Sequence, residues 1–285
     1  MAATQALAGP ARNGGRRGER GARRGPGWWA SRLAMTFGLL VVLIAAWQIA
    51  ALIAPTPYIP SPAQIGAYAW RLFFAGGAYL APADAWLKNG LPTIGRALLG
   101  FALGSLWGIA LGTLIGLSRV FRYATSWVVE FLRAIPASAV LPLFILVLGG
   151  TDWMRIAFVA YTLSLYVLIN TAGGVSSVDP TLIMMGRSFR LSTAAIVWRV
   201  VLPAAMPQIY AGLRIGTIGA TIVAIVSEFF VATNGIGFQI RNTSGVFNYG
   251  GMWAWILLLS VFGLLLNLTV ELVERRLLAW HRNSH

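Results

Sequence analysis

The chain contains no cysteine. It therefore has no disulfide, no thiolate metal ligand and no cysteine nucleophile. Its two histidines, His281 and His285, sit at the extreme C-terminus. Only eight of its 285 residues are Asp or Glu. A catalytic centre or metal site needs several titratable groups to converge, and this inventory makes either hard to build. No catalytic, cofactor-binding or metal-binding residue is expected. Charge of either sign is scarce, 11% against about a quarter in a soluble domain. The phosphate-cradling pattern G-x-x-x-x-G-K-[S/T] is absent too, so this chain supplies no ATP-binding loop of that kind.

What remains is apolar. Hydrophobic residues make up 58% of the chain, and the mean hydropathy is +0.72. That balance belongs to a polytopic membrane protein, embedded in the lipid bilayer. The net charge of +14 is no nucleic-acid footprint. Much of it sits in one tail, and the aromatics lie in apolar runs, so no nucleic-acid partner is expected.

Residues 1–32 form an Arg/Gly-rich tail with six arginines between Arg12 and Arg24. Such composition cannot bury a core and is expected to be disordered. Its charge places the N-terminus in the cytoplasm. A cleaved signal peptide is the rival reading, although the apolar run that follows exceeds a typical h-region. Six spans are expected within residues 33–275: Leu33–Ala54, Thr93–Leu117, Tyr123–Leu148, Met154–Val175, Ile209–Ala232 and Met252–Leu272. Basic segments 12–32, 119–122, 187–214 and 275–282 then share one side, with both termini, including the tail 276–285, cytoplasmic. The fold class is all-α.

Several local signals stand out. Ser61-Pro62 reads as a helix start. It leads a helix whose Ile65, Tyr68, Ala69, Leu72 and Phe73 share one face, either lying in the membrane interface or packed as a surface helix. Gly95, Gly100, Gly104, Gly108, Gly112 and Gly116 stripe the second span, where another helix can come close. The third span holds Glu130 and Arg133 on one face and two prolines, Pro136 and Pro142, that should kink it. Intramembrane charges often mark a transport path. Glu130, Arg133 and Glu228 are the candidates, with a self-satisfied structural pair as the alternative for the first two. Asn234-Gly235-Ile236-Gly237-Phe238 lies in a glycine-rich outer loop that could re-enter.

The stretch from Asp179 to Arg214 is too polar to cross a bilayer and too apolar for a loose loop. It carries four arginines (Arg187, Arg190, Arg199, Arg214) and one acid. Two short helices are expected, joined by a turn at Leu191–Thr193. Ser192-Thr193 caps the second helix, Ala194–Val201, with Ala194, Val197 and Val201 on its apolar side. Leu202-Pro203 is expected to stop it. Such a compact helix tied to a span suits docking into a partner's groove. A linker hugging the membrane is the other reading.

Residues 184–214 resemble the cytoplasmic coupling loop of permease subunits of binding-protein-dependent ABC importers. The matching residues are Arg199-Val200-Val201-Leu202-Pro203, Pro207, Ile209 and Gly212-Leu213-Arg214. LRAIPASAVLPLFILVLGG (132–150), NGLPTIGRALLGF (89–101), Val226–Glu228 and the NGIGF segment resemble the nitrate, sulfonate, taurine and thiamine-precursor branch. Two positions depart. Met184-Met185-Gly186 stands where the family has E-A-A, and Arg190 where it has a glycine, so Arg190 is expected to resist a left-handed turn.

The resemblance implies a type I importer permease in the cell inner membrane, not itself an enzyme and without a cofactor. It implies a second copy of the chain, two cytoplasmic ATPase subunits and an extracytoplasmic binding protein delivering a small solute, most simply a sulfonate-, nitrate- or taurine-like anion. The coupling segment 179–208 and the start of the next span would supply Gly186, Arg187, Ser188, Arg190, Ser192, Ala195, Arg199, Leu202, Pro203, Pro207, Gly212 and Arg214. An ion-gradient-driven transporter is the alternative; it would need acids in the membrane, and only Glu130 and Glu228 qualify.

Overall fold

The computed structural model describes residues 26–277, with side chains from 37 to 276. The arginine cluster at 12–24 and both histidines lie outside the described residues. Every regular element among the described residues is helical. The first unit ends at Ala50, and its described part is most of helix α1 (Pro26–Ile53). The residues from Ala51 onward form the second.

The second unit is built on three helices. α4 (Leu91–Leu117) and α10 (Leu202–Val231) flank α7 (Asp152–Ser176). Lipid is as apolar as leucine, so helices in a membrane associate through close packing and not through hydrophobic burial. The glycine stripe provides that closeness. A Cβ on Gly100, Gly104, Gly108, Gly112 or Gly116 would stand 2.6–2.7 Å from atoms of α7. Gly95 has open space beside it and is not part of the contact. Met154, Phe158, Val159, Leu163 and Val167 of α7 form the core with Ala97 of α4 and Ala220, Val223 and Ala224 of α10.

A second cluster gathers around Trp255 of α12 (Tyr249–Leu277). α2 (Pro62–Trp70) opens with the expected cap. Gln64 N–H donates to Ser61 Oγ at 3.3 Å, and Ser61 N–H donates to Gln64 Oε1 at 2.9 Å. Its Ile65 and Ala69, with Leu72 and Phe73 of the π-helical turn Arg71–Ala75 that continues it, are buried, so the predicted face is the packed one. Trp255 Nε1 donates to the Tyr79 hydroxyl, which donates to Gln239 Oε1. Burial pushes that hydroxyl up to about 12.

Two prolines fail to end helices. Pro92 and Pro203 each follow a π-helical stretch, Ala85–Gly90 and Val197–Val201. The wider i→i+5 turn rearranges the carbonyls that a proline nitrogen cannot serve. The helices therefore run on, from Pro82 (α3, Pro82–Asp84) through Leu117 and from Thr193 through Val231. The expected stop at Leu202-Pro203 is thus overturned, with Leu202 fully helical at φ −62° and ψ −47°.

Among the described residues, four helices are long and apolar enough to span a membrane, and a fifth span exists if a bent pair is counted as one. That pair is α5 (Arg119–Ala134) and α6 (Ala137–Leu148), which turn by 96° at Ile135-Pro136. The predicted third span is therefore broken and not merely kinked. Pro136 occupies the N-cap of α6, while Pro142 stays inside it.

Candidate functional site

Three features stand out, at the two ends of the α7–α10 pair and between them. Where α7 finishes and α10 begins lies the predicted coupling segment. Asp179 caps α8 (Pro180–Ser188), accepting from Thr181 N–H at 2.8 Å. That bond holds the Asp179 carboxyl below the usual carboxylate range. The helix closes with Arg190 in the left-handed region, φ 56°. Arg190 N–H donates to Arg187 O at 2.8 Å and Leu191 N–H to Gly186 O at 3.1 Å, the two bonds of a Schellman ending. The arginine thus adopts the turn it was expected to resist.

Ser192 caps α9 (Thr193–Ile196), accepting from Ala195 N–H at 3.3 Å. Ile196, Val201, Ala205 and Ile209 pack on Val175 of α7. Ala194 is exposed, so Ile196 and not Ala194 anchors the inner face. Gly186 is buried there, with a Cβ position 3.2 Å from Ile196. Outward stand Met184, Met185, Phe189 and Trp198, together with Arg187, Ser188, Arg190 and Arg199. Pro207 sits half-buried inside α10. Gly212 lets α10 touch α7, its Cβ position lying 2.8 Å from Asn170. Arg214 reaches α12, pairing with Glu274 at 2.5 Å.

The second feature is the broken helix. Arg133 pairs with Glu130 at 2.7 Å, with side chains 55% and 61% exposed. Beside the break lie two adjoining hollows that share Ala137, Thr162 and Tyr166. Arg133 and Tyr161 line one, of about 50 Å³; Ser138, Ile222 and Val226 line the other, of about 240 Å³. The tyrosines were missed in the sequence, where Tyr161 and Tyr166 read as ordinary members of an apolar run.

The third feature occupies the end where α7 begins and α10 finishes. Glu228 is 1% exposed. Its carboxylate accepts from Arg96 Nη1 at 2.6 Å, from Thr93 Oγ1 at 2.8 and 2.9 Å, and from Gly237 N–H at 3.0 Å. Arg96 also bonds Asn234 Oδ1 at 2.7 Å and Asp152 at 2.8 Å. Asp152 is shared with Arg155 at 2.5 Å. Asn89 Oδ1 accepts from Gly235 N–H and from Gln239 Nε2. The knot ties α4, α7 and α10 to α11 (Ile236–Gly245). Gly235, at φ 113°, has its Cβ position 2.5 Å from the Glu228 carboxylate, so only glycine fits. Arg241 donates to the Phe229 and Phe230 carbonyls, closing the C-terminus of α10. Sequence reasoning missed Asn89, Thr93 and Arg96 as partners. Their spacing of four and three, which puts them on one helix face, was the available signal.

Glu130, Arg133 and Glu228 are therefore not one constellation. The first two flank an open break; the third is enclosed by protein partners.

Comparison with known proteins bears on this architecture. Residues 104–279 match the family described as "Binding-protein-dependent transport system inner membrane component". The taurine transport system permease protein TauC of Escherichia coli K12 is 30% identical over 258 residues, 89% of this chain and 92% of that protein. The putative aliphatic sulfonates transport permease protein SsuC of Bacillus subtilis 168 is 31% identical, covering 87% and 88%. The nitrate import permease protein NrtB of Synechococcus elongatus is 26% identical, covering 85% of each. Among solved structures, the fold resembles a chain of the inward-facing MetNI methionine ABC transporter. The TM-score is 0.58 at 18% identity, over 70% of this chain and 99% of that one. A glycine-packed helical bundle and these relatives agree. The chain belongs to the inner-membrane components of binding-protein-dependent transport systems, as the non-enzymatic permease subunit of an ABC importer whose ATP hydrolysis falls to a separate subunit.

Proposed function

We propose that this permease imports a small sulfonate-, taurine- or nitrate-like anion, pairing with a second copy of itself and two ATPase subunits. An extracytoplasmic binding protein delivers the solute. Six spans, α1, α4, α5–α6, α7, α10 and α12, leave both termini and the α8–α9 segment in the cytoplasm. Each ATPase docks on α8–α9 through Met184, Met185, Phe189, Trp198 and the basic residues Arg187, Arg190 and Arg199. The observation that carries this reading is the unbroken helix from Thr193 to Val231. It joins an exposed aromatic and basic surface rigidly to a membrane span, so partner motion is passed on without a hinge. Glu228 serves to lock the far end of that helix and not to line the path.

The test is uptake into proteoliposomes holding the chain with its ATPase and binding protein, supplied in turn with taurine, ethanesulfonate and nitrate. Uptake should require ATP. Arg199→Glu should lower it about tenfold or more, the effect of losing one interface anchor, while the chain stays folded. ATP-independent uptake, or full uptake by Arg199→Glu, would remove the coupling role.

A further inference from the structure

We infer that the cleft at the α5–α6 break is an anion-binding station on the transport route, read by Arg133. The inference rests on the importer reading above.

Depth comes first. Tyr161, Thr162 and Tyr166 lie at the middle of the 25-residue α7, so the cleft sits near half-depth of a membrane-crossing helix. Solute sites in secondary transporters favour that level, beside helices whose run is interrupted, and the cleft here has the same setting. The 96° break between α5 and α6 is such an interruption.

Charge comes second. Arg133 is the one charged side chain lining either hollow. A guanidinium offers five N–H donors in a planar fork. Glu130 takes one of them, in an exposed pair of the weak kind. Glu130 lines neither hollow and holds Arg133 at the mouth from outside.

The remaining lining suits an anion with a short apolar tail. The Tyr161, Tyr166 and Ser138 hydroxyls have no hydrogen-bond partner among the described residues. They are free to donate. Thr162 is not, because its hydroxyl donates to Phe158 O at 3.1 Å. Ile222 and Val226 supply the apolar wall. A sulfonate or nitrate takes the fork side-on through two parallel N–H···O bonds. Arg133 then exchanges Glu130 for the solute, and Glu130 recovers it on release.

The absence of cysteine makes the test direct, since a single thiol reports without background. Ser138→Cys and, separately, Ile222→Cys are made in the full transporter in membrane vesicles. Each is labelled with a sulfonate-bearing and a trimethylammonium-bearing methanethiosulfonate, with rates normalised to free cysteine. The sulfonate reagent should be favoured about tenfold, the order expected for one guanidinium at short range in partly screened surroundings. Adding Arg133→Gln should abolish that preference, and millimolar ethanesulfonate should slow labelling. Equal rates, a cationic preference, a preference surviving Arg133→Gln, or no labelling at either position would each overturn the site. ATP-driven uptake separates the two readings. Uptake without a labelling preference keeps the importer and discards the cleft; preference without ATP-driven uptake keeps the cleft and discards the importer.

Discussion

Arg190 holds a left-handed backbone that costs an ordinary L-residue about 1–2 kcal/mol. Its side chain is exposed, so nothing it touches inside the protein repays that cost. The turn persists because two carbonyls at the end of α8 need donors and because Leu191 packs in the cluster beneath. The resemblance located the position and misjudged its conformation, since hydrogen bonds reach past a single residue's preference. Arg190→Gly should raise stability by about 1 kcal/mol, and Arg190→Val should lower it. Thermal unfolding of the purified permease measures both, and equal stability of the three chains would contradict the assignment. Phe247 takes the same conformation at the end of α11, φ 59°, with Asn248 N–H bonded to Thr243 O. Gly245 and Asn248 mark a turn there in the sequence, but not Phe247 as its left-handed residue.

At the level of elements, the glycine stripe was legible from period alone. A four-residue spacing drifts slowly around a helix, so five glycines face one neighbour. The sequence could not name that neighbour as α7, nor exclude Gly95 from the contact. Gly108→Leu would drive atoms into Val167, whose Cβ stands 2.7 Å from the new Cβ position. It should cost about 3 kcal/mol or prevent folding, as overpacking a tight contact does. Gly95→Ala, facing open space, should stay within about 0.5 kcal/mol. The fraction of monodisperse protein after detergent extraction and heating reads both. Comparable losses would show that the stripe is not the contact that matters. Proline was the less reliable guide. Pro136 does break a helix, while Pro92 and Pro203 do not, because a preceding π turn supplies the geometry that a lone sequence signal cannot.

Across the whole molecule, the Glu228 knot fixes one end of α10 while the α8–α9 segment is attached to the other. Under the proposed coupling, motion entering at Trp198 and Arg199 meets a helix anchored at its far end. Breaking a buried pair from one side leaves an uncompensated charge and typically costs about 3–5 kcal/mol. Glu228→Gln, and separately Arg96→Met, should each destabilise the permease strongly. The double variant should cost less than the sum by about 0.5–3 kcal/mol, the range for directly coupled residues. Denaturation of the three variants in one detergent gives the cycle. Additive losses would mean that the two side chains do not act as a pair.

The sequence by itself determined that this chain is helical and membrane-embedded, that Ser61 and Ser192 cap short helices, and that a glycine stripe on the second span faces a neighbour. Those properties follow from local composition and helical period, which need no knowledge of distant residues. It also carried the family, through a motif whose spacing survives in linear order. Tertiary structure decided the rest. It closed Glu228 among Thr93, Arg96 and Gly237, placed Arg133 at the mouth of a cleft lined by tyrosines from α7, and carried α9 through Pro203 into α10. The first two outcomes depend on residues tens to more than a hundred positions apart meeting in space, and the third on a π turn that no residue type marks.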